Sequence, residues 1–190
     1  MSDDVKERIL QAAKEMFSRY GLKKTSLAEV AEAARMGKSS LYYYFPSKEA
    51  IFHAVAEAEI TTSHQQVLDA VARAKTPTDK LRAYMQTARK MMKQAASAYE
   101  VLFNEGIDHL EGVKELKRKA ARQQEEHLAE LIAEGEQQGA FKVDNLKGTA
   151  RAIRLVLMST EDMMRILHMD PQAERDLDLL TELLIRGLQA

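Results

Sequence analysis

Residues 25–48, TSLAEVAEAARMGKSSLYYYFPSK, hold two short helical patterns separated by a break and closed by a proline. Few folds accept that arrangement. Ser26 followed three residues later by Glu29 is a capping box, in which the serine oxygen and the glutamate carboxylate each satisfy a free N–H at a helix start. Leu27, Val30, Ala31 and Ala34 then fall at helical spacing and make one apolar face. Arg35-Met36-Gly37 breaks the pattern, since glycine accepts backbone angles that other residues resist. A second helix of about two turns runs from Lys38 to about Tyr44, and Pro46 stops it.

This spacing is that of a helix-turn-helix, whose second helix enters the DNA major groove. Leu41 and Phe45, four apart, are placed to pack back onto the first helix of the pair. Lys38, Ser39, Ser40, Tyr42, Tyr43 and Tyr44 are left for other faces. Consecutive tyrosines cannot share one helix face, and hydroxyls are suited to phosphates and base edges. The competing reading is that the tyrosines simply pack.

The motif resembles the TetR/AcrR family of one-component bacterial repressors. The resemblance rests on Gly21 with Thr25-Ser26, on Val30-Ala31, and above all on Leu41-Tyr42-Tyr43-Tyr44-Phe45 followed by Ser47-Lys48-Glu49-Ala50-Ile51-Phe52. It covers roughly residues 5–55. Two positions depart from the family pattern: Arg35 stands where glycine is frequent, and Gly37 where a serine or threonine cap is frequent. The resemblance implies a DNA-binding head and a helical ligand-binding domain. It also implies a homodimer built on the last two helices.

The chain has 190 residues and no cysteine, so disulfides and thiolate chemistry are excluded. The net charge of −1 rules out a basic nucleic-acid coat. Residues 1–50 carry nine Lys and Arg against seven Asp and Glu, a weak local bias toward a DNA surface. No apolar run reaches the ~18 residues of a membrane span, and no signal-peptide core is evident. The expectation is a soluble cytoplasmic protein without a membrane partner.

Read in order, Asp4 with Glu7 suggests a capping box that opens a helix from Val5 to about Tyr20. Gly21 should end it with a left-handed cap. The next helix N-terminus is an anion site, so Thr25 and Ser26 are candidates for phosphate contact. Ser47 should cap a long helix reaching about Ala74. Lys48 in its first turn opposes the helix dipole, a cost that a bound phosphate would reverse. Thr76-Pro77-Thr78 marks a break before a helix from Asp79 to Ala96. Further helices are expected near 99–103, 113–138, 145–168 and 173–189. The expected fold is all-α with about nine helices: a helix-turn-helix DNA-binding domain at 1–47 and a ligand-binding and dimerisation domain at 48–190.

The apolar bands of the last two helices are too wide for one neighbour. This suggests a homodimer packed through residues 145–189, the alternative being a fully intramolecular core. Ten methionines is a high count, and methionine lines surfaces that adapt their shape. Met85, Met92, Tyr99, Phe103, His109, Met158 and Met163 are the candidate pocket residues for a small, largely apolar effector; a Met-rich core without a cavity is the alternative. No catalytic signature is present, and no enzyme activity, metal or cofactor is expected.

The functional expectation is a ligand-responsive homodimeric regulator, a repressor released from an inverted-repeat operator in double-stranded DNA. Two alternatives are a helix-turn-helix protein without an effector and a helical protein-interaction module.

Overall fold

The computed structural model describes residues 2–98, 100–105, 111–167 and 172–189; the side chains at 2–3, 103–104, 111, 158–167 and 173–174 are outside that description. The described residues form nine helices: α1 (Ser2–Lys24), α2 (Leu27–Ala33), α3 (Lys38–Tyr44), α4 (Lys48–Arg73), α5 (Pro77–Ala98), α6 (Glu100–Asn104), α7 (Glu111–Gln137), α8 (Leu146–Leu167) and α9 (Ala173–Leu188). Among them there is no strand, only one isolated bridge between Phe141 and Gln189. The fold is all-α, with an N-terminal helix-turn-helix followed by a helical second domain.

The chain divides into two compact units, residues 1–61 with 97–117 and residues 62–96 with 118–190. The expected boundary at 47/48 falls inside the first unit. The reason is packing: Ile51, Phe52 and Val55 of α4 are buried together with Ile9, Ala13 and Phe17 of α1, Val30 and Ala31 of α2, and Leu41 of α3. Phe17 and Phe52 meet edge to face at 5.8 Å, an arrangement that adds to simple area burial. Leu102 of α6 and Val113 of α7 close the same core.

The second unit has its own core. Val67 and Val71 of α4, Leu81, Tyr84 and Met85 of α5, and Leu128, Leu131 and Ile132 of α7 pack together with Ala150, Ile153 and Leu157 of α8 and Ile185 of α9. Gly139 (φ 70°) follows α7, as expected of a helix stop.

Two local expectations are revised. The helix begins at Ser2, ahead of Asp4, so Asp4 lies within the helix and does not cap it. Gly21 does break the helix, as expected, but without the geometry of a left-handed cap. It takes φ 83°, ψ 168°, a conformation open only to glycine, and a further helical turn follows to Lys24. That turn has an N-terminal anchor from far away in sequence: the Glu105 carboxylate, just past α6, accepts hydrogen bonds from the Leu22 N–H at 2.7 Å and the Lys23 N–H at 3.2 Å. A Cβ at position 21 would run into that carboxylate.

Candidate nucleic-acid interface

The helix-turn-helix is built by local chemistry. Ser26 caps α2: its Oγ accepts from the Glu29 N–H at 3.3 Å, and the Glu29 carboxylate accepts from the Ser26 N–H at 2.7 Å. Hydrogen bonds from the Ser26 side chain and backbone hold the Glu29 carboxyl below its ordinary range.

The turn has the hydrogen-bond pattern of a Schellman motif. Ala34 is the cap residue of α2, Met36 N–H donates to the Ala31 carbonyl, and Arg35 N–H donates to the Glu32 carbonyl, each at 2.9 Å. Arg35 occupies the left-handed position (φ 54°) where glycine is the usual choice. Met36 packs against the core, as the residue after the left-handed cap commonly does. The turn therefore has ordinary geometry made with an unusual residue. Gly37 begins α3 without a side-chain cap bond.

Leu41 and Phe45 are buried and anchor α3 to the first core. Around them Lys38, Ser39, Ser40, Tyr42 and Tyr43 are exposed, Tyr43 by 85 %. The Lys38 ammonium lies 6.0 Å from the centre of the Tyr42 ring. Tyr44 differs from its neighbours. It is half-buried against the core and meets Tyr43 edge to face at 5.3 Å, so it supports the exposed ring more than it extends the surface.

Thr25 and Lys48 are engaged by the head's own backbone. Thr25 is only 2 % exposed, and its hydroxyl donates to the Gly21 carbonyl at 2.7 Å. That hydroxyl is engaged inside the head. The Lys48 ammonium reaches from the start of α4 to the carbonyls of Thr25 (2.9 Å) and Lys23 (3.4 Å). Lys48 thereby fixes the segment that presents the N-terminus of α2. Three N–H donors and two carbonyl acceptors leave it one hydrogen for a further acceptor.

The expected pocket residues are less fully placed. Met85 is buried in the second core, and Met92 is half-buried on the same helix. Tyr99 and His109 lie outside the described residues, as do the side chains of Phe103, Met158 and Met163. Among the described residues no group of three or more His, Cys, Asp or Glu side chains could hold a metal ion, and no helix is long and apolar enough to cross a membrane. Sequence reading missed the Glu105 anchor, whose partners are more than eighty residues away. No local pattern could have signalled it.

A three-helix head with a helix-turn-helix, joined to a helical second domain, defines a class of bacterial regulators, and comparison with known proteins agrees. The family model described as "Bacterial regulatory proteins, tetR family" matches residues 9–55, and that described as "Tetracyclin repressor-like, C-terminal domain" matches residues 74–161. The chain belongs to the TetR family. It is similar to the HTH-type transcriptional regulator RutR of Escherichia coli (strain K12), 50 % identical over 50 residues, which is 26 % of this chain and 24 % of that protein. The match thus spans about a quarter of the length of that relative. It is also similar to the HTH-type transcriptional repressor KstR2 of Mycolicibacterium smegmatis, 26 % identical over 144 residues, or 73 % of this chain and 68 % of that one. The crystal structure of a transcriptional regulator from Cytophaga hutchinsonii superposes with a TM-score of 0.80 at 24 % identity, covering 97 % of this chain and 98 % of the other, a likeness of fold.

Proposed function

We propose that this chain is a homodimeric DNA-binding transcriptional repressor, released from an inverted-repeat operator when a small, largely apolar effector occupies its second domain. The observation that carries the reading is the division of labour on α3. Leu41 and Phe45 anchor the helix, while Lys38, Ser39, Ser40, Tyr42 and Tyr43 face outward. Exposed hydroxyls and an ammonium on one short helix suit phosphates and base edges. The N-terminus of α2 suits a neighbouring phosphate.

The dimer reading draws on α8 and α9. Leu177, Thr181 and Ile185 of α9 are buried, whereas Leu179 and Leu183, four apart, are more than half exposed. Leu155 of α8 is half exposed as well. A two-fold pair packed through residues 145–189 would cover these leucines. An inverted-repeat operator presents its half-sites about 34–36 Å apart, the spacing of successive major grooves. An effector that prefers a dimer of different spacing weakens DNA binding by its own coupling factor, typically about 1–3 kcal/mol. Such a protein works in the cytoplasm, with neither a membrane partner nor an enzymatic step.

The test is operator release. The protein is bound to the duplex upstream of its own coding region and challenged with a panel of hydrophobic metabolites. Release by at least one compound, with matching thermal stabilisation of the free protein, supports the proposal. Tight operator binding that no compound weakens would favour a helix-turn-helix regulator without an effector.

A further inference from the structure

The five residues from Gly21 to Thr25 join α1 to α2, and they are held by groups distant in sequence. Gly21 breaks α1, so Leu22 and Lys23 open a new helical turn. The first N–H groups of such a turn have no acceptor within it. Gly21 stands where a capping side chain would stand and has none. The Glu105 carboxylate supplies the missing acceptors: Oε2 takes the Leu22 N–H, and both oxygens share the Lys23 N–H. A Cβ at Gly21 would lie 2.4 Å from Glu105 Oε1, so glycine and carboxylate fit only together.

Glu105 is itself fixed. Its N–H donates to the carbonyls of Val101 (3.1 Å) and Leu102 (3.0 Å), and Leu102 is 1 % exposed in the first core. On the acceptor side of the same segment, the Lys48 ammonium takes the carbonyls of Lys23 and Thr25. A carboxylate from the end of α6 thus grips the N–H groups, and an ammonium from the start of α4 grips the carbonyls. Ser26, the cap residue of α2, follows directly. All of these residues belong to the first unit.

We propose that Glu105 is a positioning residue for DNA binding. With Lys48 it clamps residues 22–25 and so sets where α2, and the α3 that turns back on it, sit on α1. The inference rests on the DNA-binding reading above and adds to it a residue more than fifty positions past the helix-turn-helix. Its effect on affinity is preorganisation: a segment already held in the bound arrangement costs less to order, and a binding-competent state that is only partly populated weakens binding in proportion. Electrostatics alone predicts the opposite sign, because a carboxylate repels a polyanion and its removal should tighten binding.

The experiment measures affinity of the full-length protein for the duplex upstream of its own coding region, against a scrambled duplex. Circular dichroism at the assay temperature and stoichiometric titration restrict the comparison to folded, active molecules. Glu105→Ala should weaken binding to the upstream duplex about tenfold, and Glu105→Gln about threefold, since the amide keeps one acceptor oxygen but loses the charge. Glu100→Gln removes the same charge from an exposed position at the start of α6 and should leave affinity unchanged or slightly tighter. If Glu105→Ala does not fold, Glu105→Gln carries the test. Unchanged or tighter binding by the folded Glu105→Gln protein would overturn the proposal and leave the DNA-binding reading intact. An equal loss in Glu100→Gln would overturn it as well, since the effect would then follow the charge of α6 and not the clamp. If wild type does not discriminate between the two duplexes, the DNA-binding reading itself fails and this role with it.

Discussion

Arg35 holds a left-handed backbone conformation that residues with a side chain avoid. The Schellman hydrogen bonds around it compensate, and the arginine side chain is exposed, so the strain is local. Arg35→Gly should stabilise the chain by roughly 0.5–1 kcal/mol once glycine's own entropy cost is subtracted. Denaturant unfolding checks this, and an unchanged or lower midpoint would mean that the arginine makes a compensating interaction. Residue identity alone could not give the conformation. The break at 35–37 was legible, but Arg35 as the left-handed residue follows only from the hydrogen bonds of Arg35 and Met36. Thr25 shows the opposite limit. Its type and place suggested an exposed hydroxyl, yet four residues earlier the Gly21 carbonyl offered it a buried acceptor.

At the level of elements, near neighbours in sequence were readable and distant ones were not. The Ser26–Glu29 box lies within one helical turn, so its spacing announced it. The last turn of α1 depends on Glu105, whose carboxylate serves the Leu22 and Lys23 N–H groups as a helix cap would. Glu105→Gln keeps the shape and removes the charge. It should cost about 1 kcal/mol, the difference between a charge-assisted and a neutral hydrogen bond at such a position. Hydrogen exchange at the Leu22 and Lys23 amides should rise in step, and unchanged protection would show that the carboxylate is dispensable.

At the scale of the whole molecule, assembly and pH response carry the predictions. If the half-exposed leucines of α9 are covered by a second copy, Leu179→Glu combined with Leu183→Glu should convert the protein to a folded monomer. Sedimentation with circular dichroism tests this, and a dimer that survives both charges contradicts packing through that face. The second unit also holds a histidine pair: His64 of α4 and His127 of α7 meet edge to face at 5.4 Å, with Glu130 3.8 Å from His127 Nδ1. Burial first, and the charge of His127 second, lower the His64 pKa below 6.5. The unfolded chain therefore takes up this proton at higher pH than the folded one. Stability should fall as pH drops below about 6.5 toward the folded pKa. His64→Gln should flatten the melting temperature between pH 7 and 5, whereas parallel curves for the two proteins would assign the trend to other groups.

The central claim is that the outward face of α3 reads DNA, and its most direct measurement is affinity for the chain's own upstream duplex against a scrambled duplex at physiological salt. The account predicts a preference of at least about 10³-fold, the lower range for specific recognition, and its loss in Tyr43→Ala at an unchanged melting temperature, since that ring is almost wholly exposed. Equal affinity for the two duplexes, or a Tyr43→Ala protein that keeps the full preference, would contradict it.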